Sequence, residues 1–265
     1  MPIPVNVLIK LMEDKMFKAY FYKLIRSPLF YIGIVGVAGI CCLRLLPSGV
    51  RAADILGEVD LMRSLDGNRK MFVILAALPF AANFSDEWNC MITTGCVSRT
   101  GARKYAVTNV VMCYISALSA VFIGTMLFSL VYSGFYPMYR PGTGSDSLPY
   151  GIFTVQGFPM LDLAFSTFVF SANCAMWSVM GLMLTAFFPS KYIAICSPFV
   201  FSYAVERITL NFPDNLNLMN LSLSHMEMDA LPAFLYSNAV FAVIAALCGI
   251  IFTIRVERRV RNGLN

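Results

Sequence analysis

The sequence predicts an all-α polytopic membrane helix bundle, with six transmembrane helices behind an N-terminal amphipathic interfacial helix, and three observations lead there. Of 265 residues, 58% are hydrophobic and 13% charged, with a mean hydropathy of +0.69, whereas a soluble domain carries about a quarter charged residues. The apolar residues gather into six runs, at 29–46, 71–85, 106–132, 161–188, 192–206 and 233–254. The stretches between runs reach only about two dozen residues, too short for a soluble core of their own.

Residues 1–28 do not read as a signal peptide, because Lys10, Lys15, Lys18, Lys23 and Arg26 are spread through them with Glu13 and Asp14. Val5, Leu8, Met12, Met16, Tyr20 and Leu24 recur at helical spacing, with Lys10, Asp14 and Lys18 on the other face. That pattern predicts a cytoplasmic amphipathic helix lying in the interface plane. Ser27 and Pro28 break it, and the chain turns into the membrane.

The membrane body, 29–254, then carries the six spans. A helix needs about 20 residues to cross the hydrocarbon. The second run, bounded by Arg69 and Lys70 and by Asp86 and Glu87, is short, so it must tilt little, snorkel its flanking charges or continue as helix beyond the lipid. The fifth, interrupted by Pro198 and closed by Glu206, reads either as a continuous span or as a re-entrant helix. The segments at 47–70, 133–160 and 207–232 read as loops. The third is rich in Leu and Met (Leu216, Leu218, Leu221, Leu223, Met226 and Met228), which suggests packing on the membrane surface or the bundle mouth.

Basic residues set the orientation. Thirteen lie in the N-terminal segment, the loop after the second span, the Pro189–Lys191 turn and the basic tail 255–265, against six on the opposite side. Both termini are therefore expected in the cytoplasm of a multi-pass cell-membrane protein, and no nucleic-acid partner is expected, because its charges flank spans instead of forming a stripe.

Familiar enzyme chemistry is missing from the sequence. The only histidine is His225, which rules out serine–histidine and HExxH sites, and there is no GxxxxGK[ST] loop for ATP. The eight cysteines show no zinc or CxxC spacing and read as small apolar fillers. No enzyme activity, cofactor or metal is expected. Ionisable residues near the spans are few: Arg44, Asp162 and Glu206 all fall near the outer interface, where anchoring outweighs ion coupling. Phe165, Phe168, Phe170, Met176, Trp177, Met180 and Met183 serve either core packing or a path for an amphiphilic substrate.

The cytoplasmic segment 86–105 is organised. Asp86 and Glu87 suit a helix start, Trp88, Met91, Ile92 and Gly95 fall on one helical face, and Gly95 can end that helix. Ser98 or Thr100 can cap the next helix, whose first turns carry Arg103 and Lys104 at the headgroups. The Phe-Ser-x-Glu entry, the short helix to Gly95, the Ser98-Arg99 pair and Tyr105 leading into the next span resemble the transmembrane permease subunits of ABC type-2 exporters. Met91-Ile92 and Cys96-Val97 stand where that family more often has Gly-Thr and a proline. The resemblance implies a cytoplasmic ABC ATPase partner, a second permease copy or paralogue, and a coupling role for Glu87, Trp88, Met91, Ile92, Arg99 and Tyr105. A secondary transporter or channel-like bundle, and a membrane anchor or assembly factor, are the competing classes.

Overall fold

The computed structural model describes residues 15–43, 54–142, 150–223, 226 and 228–263, and every regular element among them is helical. Val5, Leu8, Met12, Arg44 and His225 lie outside the described residues. The helices are α1 (Lys15–Arg26), α2 (Pro28–Leu43), α3 (Ile55–Ser64), α4 (Asp66–Ala77), α5 (Asn83–Asn89), α6 (Ile92–Thr100) and α7 (Ala102–Tyr132). They are followed by α8 (Gly151–Val155), α9 (Pro159–Thr185), α10 (Lys191–Thr209), α11 (Leu218–Leu223) and α12 (Ala230–Gly263).

Among the described residues, three helices are long and apolar enough to cross a membrane: Ala102–Tyr132, Pro159–Thr185 and Ala230–Asn262. A fourth joins them if Met16–Arg26 and Pro28–Cys42, bent by 55°, are taken as one broken span. The bend falls where Ser27 and Pro28 interrupt the sequence, since a residue before proline is pushed out of the α region. The second apolar run does not form one helix: α4 has 12 residues, about 18 Å, and turns around Pro79 separate it from α5. The fifth run is the continuous helix α10, with Pro198 inside it.

The long helices satisfy polar side chains locally. Ser116, Thr125, Ser129, Ser171 and Ser178 donate to carbonyls three or four residues back in their own helices, as hydroxyls in an apolar bundle must. Close approach is carried by glycine at two crossings. A Cβ at Gly124 would lie 2.7 Å from Val37, and one at Gly181 would lie 2.5 Å from the Ala194 carbonyl oxygen.

Contacts sort the helix ends into two groups. Tyr20, Glu87, Tyr105, Phe187, Lys191 and Arg259 meet at one end, hereafter the Glu87 end. Arg63, Arg69, Thr167 and Glu206 meet at the other, the Glu206 end.

Two expectations need correction. Segment 47–70 is not simply a loop, because Asp54 caps α3 by accepting from the Gly57 amide at 2.8 Å, and Ile55, Leu56, Val59 and Met62 are buried. Asp54-Ile55-Leu56-Gly57-Glu58 carried a helix-start signal that the search for apolar runs passed over. The 207–232 segment is also partly helical, and Leu218, Leu221, Leu223 and Met226 are buried. Leu216 is exposed.

Candidate functional site

The segment singled out by the sequence is built differently from the single amphipathic helix expected there. The helix starts earlier than expected: α5 begins at Asn83, with Asp86 in its first turn, and closes at Cys90, whose amide bonds back to the Asp86 carbonyl. Met91 then takes a left-handed conformation, φ 58°, the usual geometry just past a helix end. This break separates Trp88 from Ile92, so Trp88, Met91, Ile92 and Gly95 do not share one helical face. Gly95 lies inside α6, and the next break is Gly101, φ 81°.

Glu87 is the centre of the arrangement. Its carboxylate is 4% exposed and accepts from the Tyr20 and Tyr105 phenols, each at 2.7 Å, and from Lys23 Nζ at 2.9 Å. Lys23 also donates to Asn83 Oδ1 at 2.6 Å, and Asn83 Nδ2 donates to Asn109 Oδ1 at 2.8 Å. One buried carboxylate therefore ties α1, α5 and the start of α7 together. Of the stripe that the helical spacing marked, Tyr20 and Leu24 are buried and Met16 is partly buried, and Phe17 joins them on the buried face of α1.

Trp88 is half-buried. Its ring lies 5.7 Å from that of Phe84, with the Arg259 guanidinium 5.4 Å above it. Arg259 also donates to the Phe187 carbonyl at 2.6 Å, and Lys191 pairs with Asp86 at 3.0 Å. The Asp86 carboxylate, by hydrogen bond and by charge, holds the Lys191 ammonium above its ordinary pKa. Burial, and then the Glu87 charge, push the Cys96 thiol up.

Met91 and Ile92 are 82% and 53% exposed. Met91 stands between two grooves. One, of about 420 Å³, is lined by Trp88, Met91, Thr93, Val97, Arg259 and Val260. The other, of about 730 Å³, is lined by Met16, Met91, Ile92, Cys96 and Arg99 among others. Of the six expected coupling residues, Glu87 and Tyr105 are joined directly and buried. Met91, Ile92 and Arg99 face outward, and Trp88 bridges inside and outside.

The Glu206 end holds a second cluster that the sequence did not reveal. Arg69 and Lys70 do not snorkel. Both are buried and share Glu206 Oε2, at 3.0 and 2.6 Å. Arg69 also reaches Asp66 at 2.9 Å. Arg63 is buried, donates to Thr167 Oγ1 and stands 5.3 Å over the Phe170 ring. Asp162 accepts from Thr154 at 2.6 Å. The sequence marked Asp162 and Glu206 as ionisable residues near one interface and Arg69 and Lys70 as flanking charges, but nothing in it paired them.

Phe170, Met176 and Trp177 are buried among helices, and Phe165 stacks on Phe153 and meets Phe234 edge-on, so these residues pack the bundle core. All eight cysteines are free thiols. Comparison with known proteins finds no matching family model, no similar curated protein and no similar solved structure.

Proposed function

We propose that the chain is the membrane-spanning permease subunit of an ABC type-2 exporter, with six spans, both termini and the Glu87 end in the cytoplasm, and a second copy or paralogue completing the channel. A separate cytoplasmic ABC ATPase hydrolyses ATP, and the chain itself contributes conformational work. The exported compound is amphiphilic, of peptide or drug-like character, because the helices offer aromatic and Met side chains and few charges at mid-depth.

The observation that carries the reading is the outward presentation of Met91 and Ile92 by a segment whose base is fixed through Glu87 to α1 and α7. A partner pushing on Met91 and Ile92 loads three helices at once. Helix-in-groove contacts concentrate binding in a few large side chains, which these two supply. The test is affinity isolation of the full chain from its native membrane, looking for a nucleotide-hydrolysing subunit.

A carrier or channel-like bundle without an ATPase is the second reading. The observation favouring it is the buried Arg69, Lys70 and Glu206 cluster, since ionisable groups inside a membrane bundle often mark a transport path. Isolation of the chain without any ATPase, together with ion-coupled uptake in vesicles, would favour it.

A further inference from the structure

Leu247, Ile251, Arg255 and Arg259 recur at every fourth position of α12 and therefore form one stripe. Leu247 and Ile251 are 56% and 46% exposed. The stripe passes from aliphatic side chains to guanidinium groups within one helical turn, about 6 Å. Both guanidiniums are held in place: Arg255 lies 5.0 Å over the Phe187 ring, and Arg259 is fixed by Trp88 and the Phe187 carbonyl.

Among the described residues no carboxylate forms an ion pair with Arg255 or Arg259. The Nε of Arg255 is shielded from solvent and has no hydrogen-bond partner. Glu257, two positions along, projects from roughly the opposite side of the helix, and the nearby Lys191 and Asp86 are occupied with each other. Two like charges one turn apart repel unless an anion lies between them. Phe188, 63% exposed beside Phe187, adds an aromatic ring of the kind that sits at a membrane boundary.

We infer that Arg255 and Arg259 form a binding site for the phosphate group of an anionic glycerophospholipid, with an acyl chain lying along Ile251 and Leu247. Phosphate oxygens match the planar donor fork of arginine, and the aromatic faces beneath keep both forks oriented. The inference rests on the placement of the Glu87 end at the cytoplasmic lipid boundary and does not require the ATPase partner, so the two fail separately.

A neutral detergent micelle offers no charged surface of its own, so anionic lipid retained by the full chain is held by the protein. Native mass spectrometry with added phosphatidylglycerol or phosphatidylcholine is expected to show one phosphatidylglycerol held per chain in preference to phosphatidylcholine. R255Q leaves the Arg259 bond to the Phe187 carbonyl in place, and it is expected to weaken retention about five-fold, the usual effect of one basic residue at an anionic surface. R258Q, an equal loss of charge at an exposed position, is expected to retain the lipid as the unaltered chain does. Equal loss in R255Q and R258Q, or equal retention of the two lipids, overturns the site. Displacement by glycerol 3-phosphate at the lipid's own concentration overturns the lipid source, because the pocket then reads free phosphate. If R255Q unfolds without lipid, R255K takes its place, and undiminished retention by R255K counts against recognition by the guanidinium fork.

Discussion

Tyr20 and Glu87, 67 residues apart, are joined by a 2.7 Å hydrogen bond in which the phenol donates to a buried carboxylate. With Tyr105 bonded to the same oxygen at 2.7 Å, Glu87 closes a contact between α1, α5 and α7. Hydrogen bonds to charged groups contribute about 1.5–3 kcal/mol each, while the half-exposed Lys23 adds little through its charge. Glu87→Ala is expected to destabilise the chain by about 3 kcal/mol and to release α1. Limited proteolysis around Lys18 and Lys23 reads that release, and cleavage no faster than in the unaltered chain would contradict it.

Glu206 is the single buried acid shared by Arg69 and Lys70. Removing one partner of a buried pair strands the others, at a cost of about 3–5 kcal/mol. Glu206→Gln is expected to lower the thermal unfolding midpoint in detergent and to loosen α10 from α4. An unchanged midpoint would show that the cluster is solvated and not structural.

Two glycines give opposite expectations. A Cβ at Gly181 would lie 2.5 Å from the Ala194 carbonyl oxygen and 2.7 Å from Pro198, so Gly181→Ala must part α9 from α10, at about 1–3 kcal/mol. Gly95 meets nothing within 4 Å and sits inside α6, where Gly→Ala is expected to stabilise by about 0.5–1 kcal/mol. Calorimetry of both variants separates the cases. Stabilisation by Gly181→Ala would mean that the two helices do not cross as described.

Cys90 is exposed, whereas Cys96 is partly covered and its thiol is pushed up by burial and by Glu87. The thiolate is the reactive form. An impermeant maleimide applied to inside-out vesicles near neutral pH is expected to label Cys90 faster than Cys96, and the gap should narrow as pH rises. Labelling of Cys90 from right-side-out vesicles instead would reverse the proposed orientation.

The long apolar runs at 106–132, 161–188 and 233–254 lie within or close to α7, α9 and α12, because uninterrupted hydrophobicity over that length leaves the backbone little alternative in lipid. The break at Ser27-Pro28 was equally legible. Around Glu87 the composition was informative but the geometry was not. Periodicity put Trp88 and Ile92 on one face, while the left-handed turn at Met91, a residue with no special liking for that conformation, divides them. The pairing of Glu206 with Arg69, 137 residues away, depends on how α4 meets α10, which no local pattern encodes.

Affinity isolation of the full chain from its native membrane, with and without Met91→Ala and Ile92→Ala together, tests the coupling reading most directly. The unaltered chain is expected to bring down a cytoplasmic ATPase whose hydrolysis responds to substrate, and the double variant is expected to insert normally yet lose that subunit. Trp88 is a poorer probe, since its ring also packs on Phe84 and under Arg259. Retention of the ATPase and of substrate-stimulated hydrolysis by the double variant at the unaltered level would contradict the role assigned to Met91 and Ile92, and the absence of any ATPase from both would contradict the permease assignment itself.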